Sequence, residues 1–224
     1  MNYLAHGWQF VDNPYFLAGT AVPDWLNVID RKMRARSKTA LASVTAADPL
    51  LAALAQGIVR HHHDDAWFHQ TTAFNELSLD FTRQIRDLLP ADDGFRPSFL
   101  GHILVELLLD ATLTEEEPRR LDAYYAALER TDPLALQSGI NRLATRPSDK
   151  IPYLLSRFFQ ERFLYDYLED AKLLVRLNHV MRRVGLPQLP SELSDLFPAM
   201  RGRVRQRRDE LLQPTSISTQ ETHP

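Results

Sequence analysis

Gly57-Ile-Val-Arg-His-His-His-Asp-Asp-Ala-Trp-Phe-His69 holds four of the eight histidines in this chain, beside two adjacent aspartates. Its apolar neighbours Leu51, Leu54 and Ile58 recur at helical spacing, so the stretch is read as a helix running from Leu50 to about Thr72. At roughly 100° per residue, His61, Asp65 and His69 then share one face. Imidazole and carboxylate groups stacked a turn apart are suited to holding a metal ion. His62 and His63 point elsewhere on such a helix.

The same spacing recurs at His102, Glu106 and Asp110. They interrupt an otherwise apolar run of Phe99, Leu100, Ile103, Leu104, Leu107 and Leu108, which predicts a central helix with Ser98 as its cap. A buried carboxylate is expensive unless paired or metal-bound. The stripe is therefore read as a ligand face, as a buried hydrogen-bond network, or as the exposed side of an amphipathic helix. Two such stripes in one chain favour a shared metal site.

Helical periodicity covers the rest. Further helices are expected over 74–89, 119–130 and 132–143, over 151–184 as a pair or one bent helix, and over 191–212 with an interruption at Pro198. Pro23 fits a first helical turn better than an interior, so Asp24 is placed at a helix start beside a bend. Alternating strand patterns are nearly absent. The fold class is all-α, one domain over residues 1–212, with seven to ten helices and a polar tail over 213–224 expected to be disordered.

Composition narrows the function. The chain has 224 residues, 44% hydrophobic and 25% charged, with a net charge of −3. No global field argues for nucleic acid or an anionic membrane. With no cysteine, disulfides, thiolate metal sites and cysteine nucleophiles are excluded. No signal peptide and no uninterrupted transmembrane run is read, so a cytoplasmic protein is expected. There is no nucleophile elbow, Walker motif or dinucleotide fingerprint. Imidazole and carboxylate without thiolate suit zinc, manganese or iron, as one ion or two. Arg31, Lys32, Arg34, Arg36 and Lys38 form a basic cluster, read as a solvated face or a phosphate-steering patch; a second lies at Arg201, Arg203, Arg205, Arg207 and Arg208.

The chain resembles the acyl carrier protein phosphodiesterase family, whose members begin Asn-Phe-Leu-Ala-His; here Asn2-Tyr-Leu-Ala-His6 stands at that place. Gly19-Thr20 followed by Asp24, then Gly57-Ile58 with His61, Asp65 and His69, keep the family's order and spacing. Gly101-His102-Ile103-Leu104, Leu177-Asn178 and Phe197-Pro198 are fainter matches. Thr20, His62 and Gly101 stand where the family has Asn, Arg and Asp, and His69 replaces its last Asp. The resemblance implies an HD-like helical phosphohydrolase, with manganese as metal and a phosphopantetheinyl carrier protein as substrate. Pro23-Asp24 and the His-x-x-x-Glu spacing are also similar to the helical zinc-dependent phospholipase C and nuclease group, which ligates metal through an N-terminal tryptophan amine that this chain lacks.

The resulting expectation is a metal-dependent phosphodiesterase. His6, Asp24, His61, Asp65, His69 and His102 would be ligands, and Glu106 and Asp110 ligands, orienting groups or a general base. Asp65 and Glu106 would be the catalytic carboxylates, and Arg60, His62 or the 31–38 cluster would bind substrate phosphate. Two alternatives stay open. One is a non-catalytic helical scaffold with a degenerate site, favoured by Thr20, Gly101 and Glu106. The other is a protein that binds an acidic partner, such as a carrier protein, through its basic clusters.

Overall fold

A computed structural model describes residues 1–89 and 94–212; the expected disordered tail at 213–224 lies outside them. The chain is all-α. In order, it forms α1 (Tyr3–Gly7), α2 (Pro14–Ile29), α3 (Ser37–Leu41), α4 (Pro49–Phe68), α5 (Thr72–Leu88), α6 (Pro97–Glu116), α7 (Pro118–Glu129), α8 (Pro133–Leu143) and α9 (Ile151–Glu161). A 3-10 turn over Phe163–Leu168 leads to α10 (Asp170–Val184), and a second over Ser191–Leu196 leads to α11 (Phe197–Gln206) and α12 (Arg208–Leu212). An isolated bridge between Ala35 and Ala144 is the only extended pairing among the described residues. There are more helices than periodicity suggested, because segments of five residues are too short to show a period.

The helix starts follow from local chemistry. Helices α2, α4, α6, α7 and α8 each begin on proline, whose fixed φ and missing N–H suit a first turn. Asn13, Asp48, Thr71 and Asp132 cap α2, α4, α5 and α8 through their side-chain oxygens. The expected cap at Ser98 is not used: α6 begins at Pro97 without a side-chain cap. The 151–184 region is broken at Arg162, whose φ of 42° is left-handed, and α10 ends on Gly185 at φ 75°. In the last region Pro198 falls within the first turn of α11, and the break comes at Arg207.

One expectation fails in a useful way. Pro23 does not start a helix; it lies inside α2. A proline there lacks the N–H that would bond the Gly19 carbonyl and crowds the preceding turn.

Two close helix pairs organise the core. Helix α6 packs on α5, and α2 packs on α4. Helix α6 is long and apolar enough to cross a membrane by composition, but 67% of that window is buried inside the protein, so its apolarity is accounted for by the core. Leu100, Leu104, Val105, Leu108 and Leu109 on it are almost fully buried. The α2–α4 pair touches backbone to backbone. A Cβ at Gly57 would lie 2.1 Å from the Phe16 carbonyl oxygen and 2.7 Å from Gly19 Cα. Gly101 plays the same part between α6 and α5, where a Cβ would meet Ser78 O at 2.7 Å. A larger side chain at 101 has no room. The short α1 contacts α2, α4, α6 and α7, so it carries His6 to the line where the two pairs meet.

Candidate metal centre

Close approach at Gly19 and Gly57 sets the first half of the site. His61, one turn beyond Gly57, reaches α2, and its Nδ1 lies 2.8 Å from the Thr20 carbonyl oxygen. A carbonyl only accepts, so Nδ1 carries the proton and Nε2 keeps its lone pair. Nε2 lies 3.4 Å from Asp65 Oδ2. From α1, His6 stacks on His61 with ring centroids 4.1 Å apart, and its Nε2 lies 3.3 Å from Asp65 Oδ1. His6, His61 and Asp65 thus each offer a donor atom, all within 4.8 Å of one another.

The second half is built between the end of α4 and α6. His69 caps α4, and its Nε2 lies 3.0 Å from Glu106 Oε1. His102, one turn before Glu106, places Nε2 3.2 Å from the same oxygen. His69, His102 and Glu106 form a second group with donor atoms within 4.8 Å. The α-ammonium of Met1 lies between the halves, 2.7 Å from Asp65 Oδ1 and 3.3 Å from Glu106 Oε1. A positive charge is therefore favoured at the junction.

Electrostatics agree with a cation-holding role. Burial alone would raise the Asp65 carboxyl, but the adjoining His6 and His61 imidazoles and the Met1 ammonium hold it far below the usual range. Glu106 is likewise held low against its burial by the Met1 ammonium, His102 and His69. Burial opposes charge on His6, yet Asp64 and Asp65 raise its affinity for a proton above that of an ordinary imidazole. Asp24 shifts upward, because its burial outweighs the pull of His61 and His6.

The donor set fits a divalent metal. Both ring nitrogens of His6 are buried with no hydrogen-bond partner; the carboxylates at 3.3 and 3.7 Å lack hydrogen-bond geometry. An orphaned buried imidazole costs free energy that a coordinated ion would recover. Two imidazoles and a carboxylate, without thiolate, suit zinc, manganese or iron.

The two stripes of the sequence are not kept whole. His69 leaves the 61/65 pair and joins His102 and Glu106. Asp110 leaves the 102/106 pair and lies apart from both groups. Its oxygens accept from the backbone N–H of Leu4 and Ala5, at 3.0 and 2.8 Å, and from Asn2 Nδ2 at 2.8 Å. It anchors α1 instead of facing the donor atoms of the cluster. Asp24 belongs to neither group but lines the adjoining cleft with Glu106.

The expected phosphate binders also sit elsewhere. His62 donates through Nε2 to the Ala35 carbonyl, 2.7 Å away. Arg60 lies over the Phe10 ring and pairs with Asp64, its Nε 2.6 Å from Oδ1. The side chain of Arg34 in the 31–38 cluster bonds the carbonyls of Arg31 and Met33. None of these residues lines the cleft beside the cluster.

Three participants escaped the sequence reading. Asp64 is buried, accepts from Arg60 and from Trp67 Nε1 at 3.3 Å, and faces His6 Nδ1 at 3.7 Å. Its signal was an arginine four residues before it and a tryptophan three after, both within reach on one helix face. Asn2 holds Asp110. The Met1 amine is a backbone group, so no side-chain motif announces it.

An all-α protein with paired histidine–carboxylate groups able to hold metal is the class that fold and site define. No family model, no curated protein and no solved structure matches the chain.

Proposed function

We propose that the protein is a metal-dependent phosphodiester hydrolase. The observation that carries this reading is the meeting of the two histidine–carboxylate groups at the Met1 ammonium, with Glu106 opening onto a cleft. His6, His61 and Asp65 would hold one divalent cation, and His69, His102 and Glu106 a second. Such ions supply Lewis acidity and a hydroxide nucleophile at neutral pH.

The chain's own groups divide the remaining work. Asp65 and Glu106 stay ionised, so they suit charge neutralisation and not proton donation. His61 is oriented by the Thr20 carbonyl, and the Asp64 carboxylate stands 3.7 Å from His6 Nδ1. Asp24, with its raised proton affinity and its place in the cleft wall, is the group fitted to exchange a proton with substrate. The family resemblance makes a phosphopantetheinyl carrier protein the first natural substrate to try.

Metal analysis of purified protein, with bis-p-nitrophenyl phosphate hydrolysis in manganese, tests the reading. Bound metal is expected, with turnover that disappears in His61→Ala. Protein that neither binds nor is stabilised by zinc, manganese or iron would overturn it. One observation favours a second reading, a non-catalytic scaffold: the Met1 ammonium already neutralises Asp65 and Glu106. Metal binding without hydrolysis of any phosphodiester is the outcome that reading requires.

A further inference from the structure

The cleft beside the cluster is larger than a phosphate needs. Its volume is about 630 Å³, the size of pockets that enclose whole organic ligands. Asp24 and Glu106 line it together with Asn2 and Tyr3, next to the histidine–carboxylate groups. Its walls continue along α2, α6, α9 and α10 through Val28, Ile103, Leu154, Tyr153 and Val180. Val28 is 44% and Tyr153 71% exposed, which makes them two of the few large apolar side chains the fold leaves open. An apolar surface shared by four helices and left uncovered is suited to the body of a ligand.

The cleft also carries positive charge that the protein does not neutralise. Four cationic side chains line it: Lys150, Arg157, Arg176 and Arg183. Arg157 and Arg176 both pair with Glu161, and Arg176 also pairs with Asp166. Lys150, at the start of α9, and Arg183, in the last turn of α10, have no carboxylate within ion-pair distance among the described residues. Of the metal centre's carboxylates Glu106 lines the cleft, on the α6 wall, with Asp24 on the α2 wall; the spare cations belong to the α9 and α10 walls.

From this arrangement we infer that the cleft selects a small organic phosphoester with an apolar body and a second anionic group, which Lys150 and Arg183 receive while the ester lies at the metal centre. The inference rests on the reading of that centre as a phosphoester site. Volume argues for the body, the exposed apolar wall for its character, and the two unpaired cations for the second charge. A single small phosphoester would leave both the wall and the cations without a role.

Calorimetric titration of the manganese-loaded protein with non-hydrolysable phosphonates tests it. The probes are methylphosphonate, unbranched alkylphosphonates of graded length, and the same alkylphosphonates bearing a terminal carboxylate. Alkyl chains should bind about tenfold tighter than methyl, and at the matching length the carboxylate should add about tenfold more. Lys150→Gln with Arg183→Gln should abolish the second gain and leave the first gain and the metal content unchanged. The inference is overturned if the carboxylate brings no gain at any length, or if its gain survives in the double variant. A protein that hydrolyses bis-p-nitrophenyl phosphate yet shows no such gain would fail this inference alone. One that binds no metal but keeps the carboxylate gain, lost in the double variant, would fail only the reading of the metal centre.

Discussion

His61 on α4 donates a hydrogen bond to the backbone carbonyl of Thr20 on α2, at 2.8 Å. That one contact settles the imidazole tautomer and aims Nε2 at Asp65. It depends on the close approach at Gly19, which lets α4 come near enough for His61 to reach. The orienting group is a backbone carbonyl, and the Thr20 hydroxyl bonds the Leu17 carbonyl.

Gly57→Ala should therefore damage stability and site together. The added methyl would fall 2.1 Å from the Phe16 carbonyl oxygen, which is backbone and cannot swing aside. Forcing the helices apart should cost about 2 kcal/mol or more and weaken metal affinity by drawing His61 from Thr20. Urea unfolding and a metal titration would read both. An unchanged unfolding midpoint would show that α2 and α4 adjust freely, against this account.

Occupancy of the two groups should be separable. His61→Ala should remove one equivalent of bound metal, and His69→Ala the other, because the histidines contribute to different clusters. Metal content after dialysis against a stoichiometric ion measures this. If either substitution abolished all binding, the residues would form one mixed site.

Asp64→Asn should act through His6. Asp64 is buried beside His6 Nδ1 and is itself held by Arg60 and Trp67. Outer carboxylates of this kind orient a ligating histidine, and their loss weakens metal binding by roughly 10- to 100-fold. The readouts are the dissociation constant of the metal and the His6 imidazole titration followed by NMR in metal-free protein. A variant with wild-type affinity and an unmoved His6 titration would remove Asp64 from the centre.

Asp110 should make metal-free stability depend on pH. Burial is the main cause of its shift, opposed by the bonds from Leu4, Ala5 and Asn2, and the carboxyl is pushed up to about 6. A carboxyl whose folded pKa lies above its unfolded value of about 3.9 adds stability that is fully present below the unfolded pKa. That contribution is lost as pH rises through 6. On the order of 3 kcal/mol should disappear between pH 3.5 and 8 from this group. Asp110→Asn keeps an acceptor for the α1 amides but cannot titrate. Denaturant unfolding across this range should show the wild-type slope reduced in the variant; identical slopes would count against the assignment.

Much of the fold was legible in the residues themselves. Asn13-Pro14 and Asp132-Pro133 carry local start signals for α2 and α8, and the apolar run around Leu104 announced the buried central helix. These are local properties, determined by backbone geometry and burial along one element. Pro23 was misread because an interior proline is tolerated only when neighbouring packing compensates, and that packing is not local.

The donor types of the site were legible too; their grouping was not. Residues eight apart on a helix are offset by about 80°. His69 is thereby turned from His61 towards α6, and Asp110 from His102 towards the amides of α1. The sequence by itself determined an all-α chain whose histidines and carboxylates recur at helical spacing. Only the tertiary structure decided which of them meet. That depends on how closely α2 approaches α4, on where α4 ends, and on a short N-terminal helix that brings His6 and the Met1 amine between them.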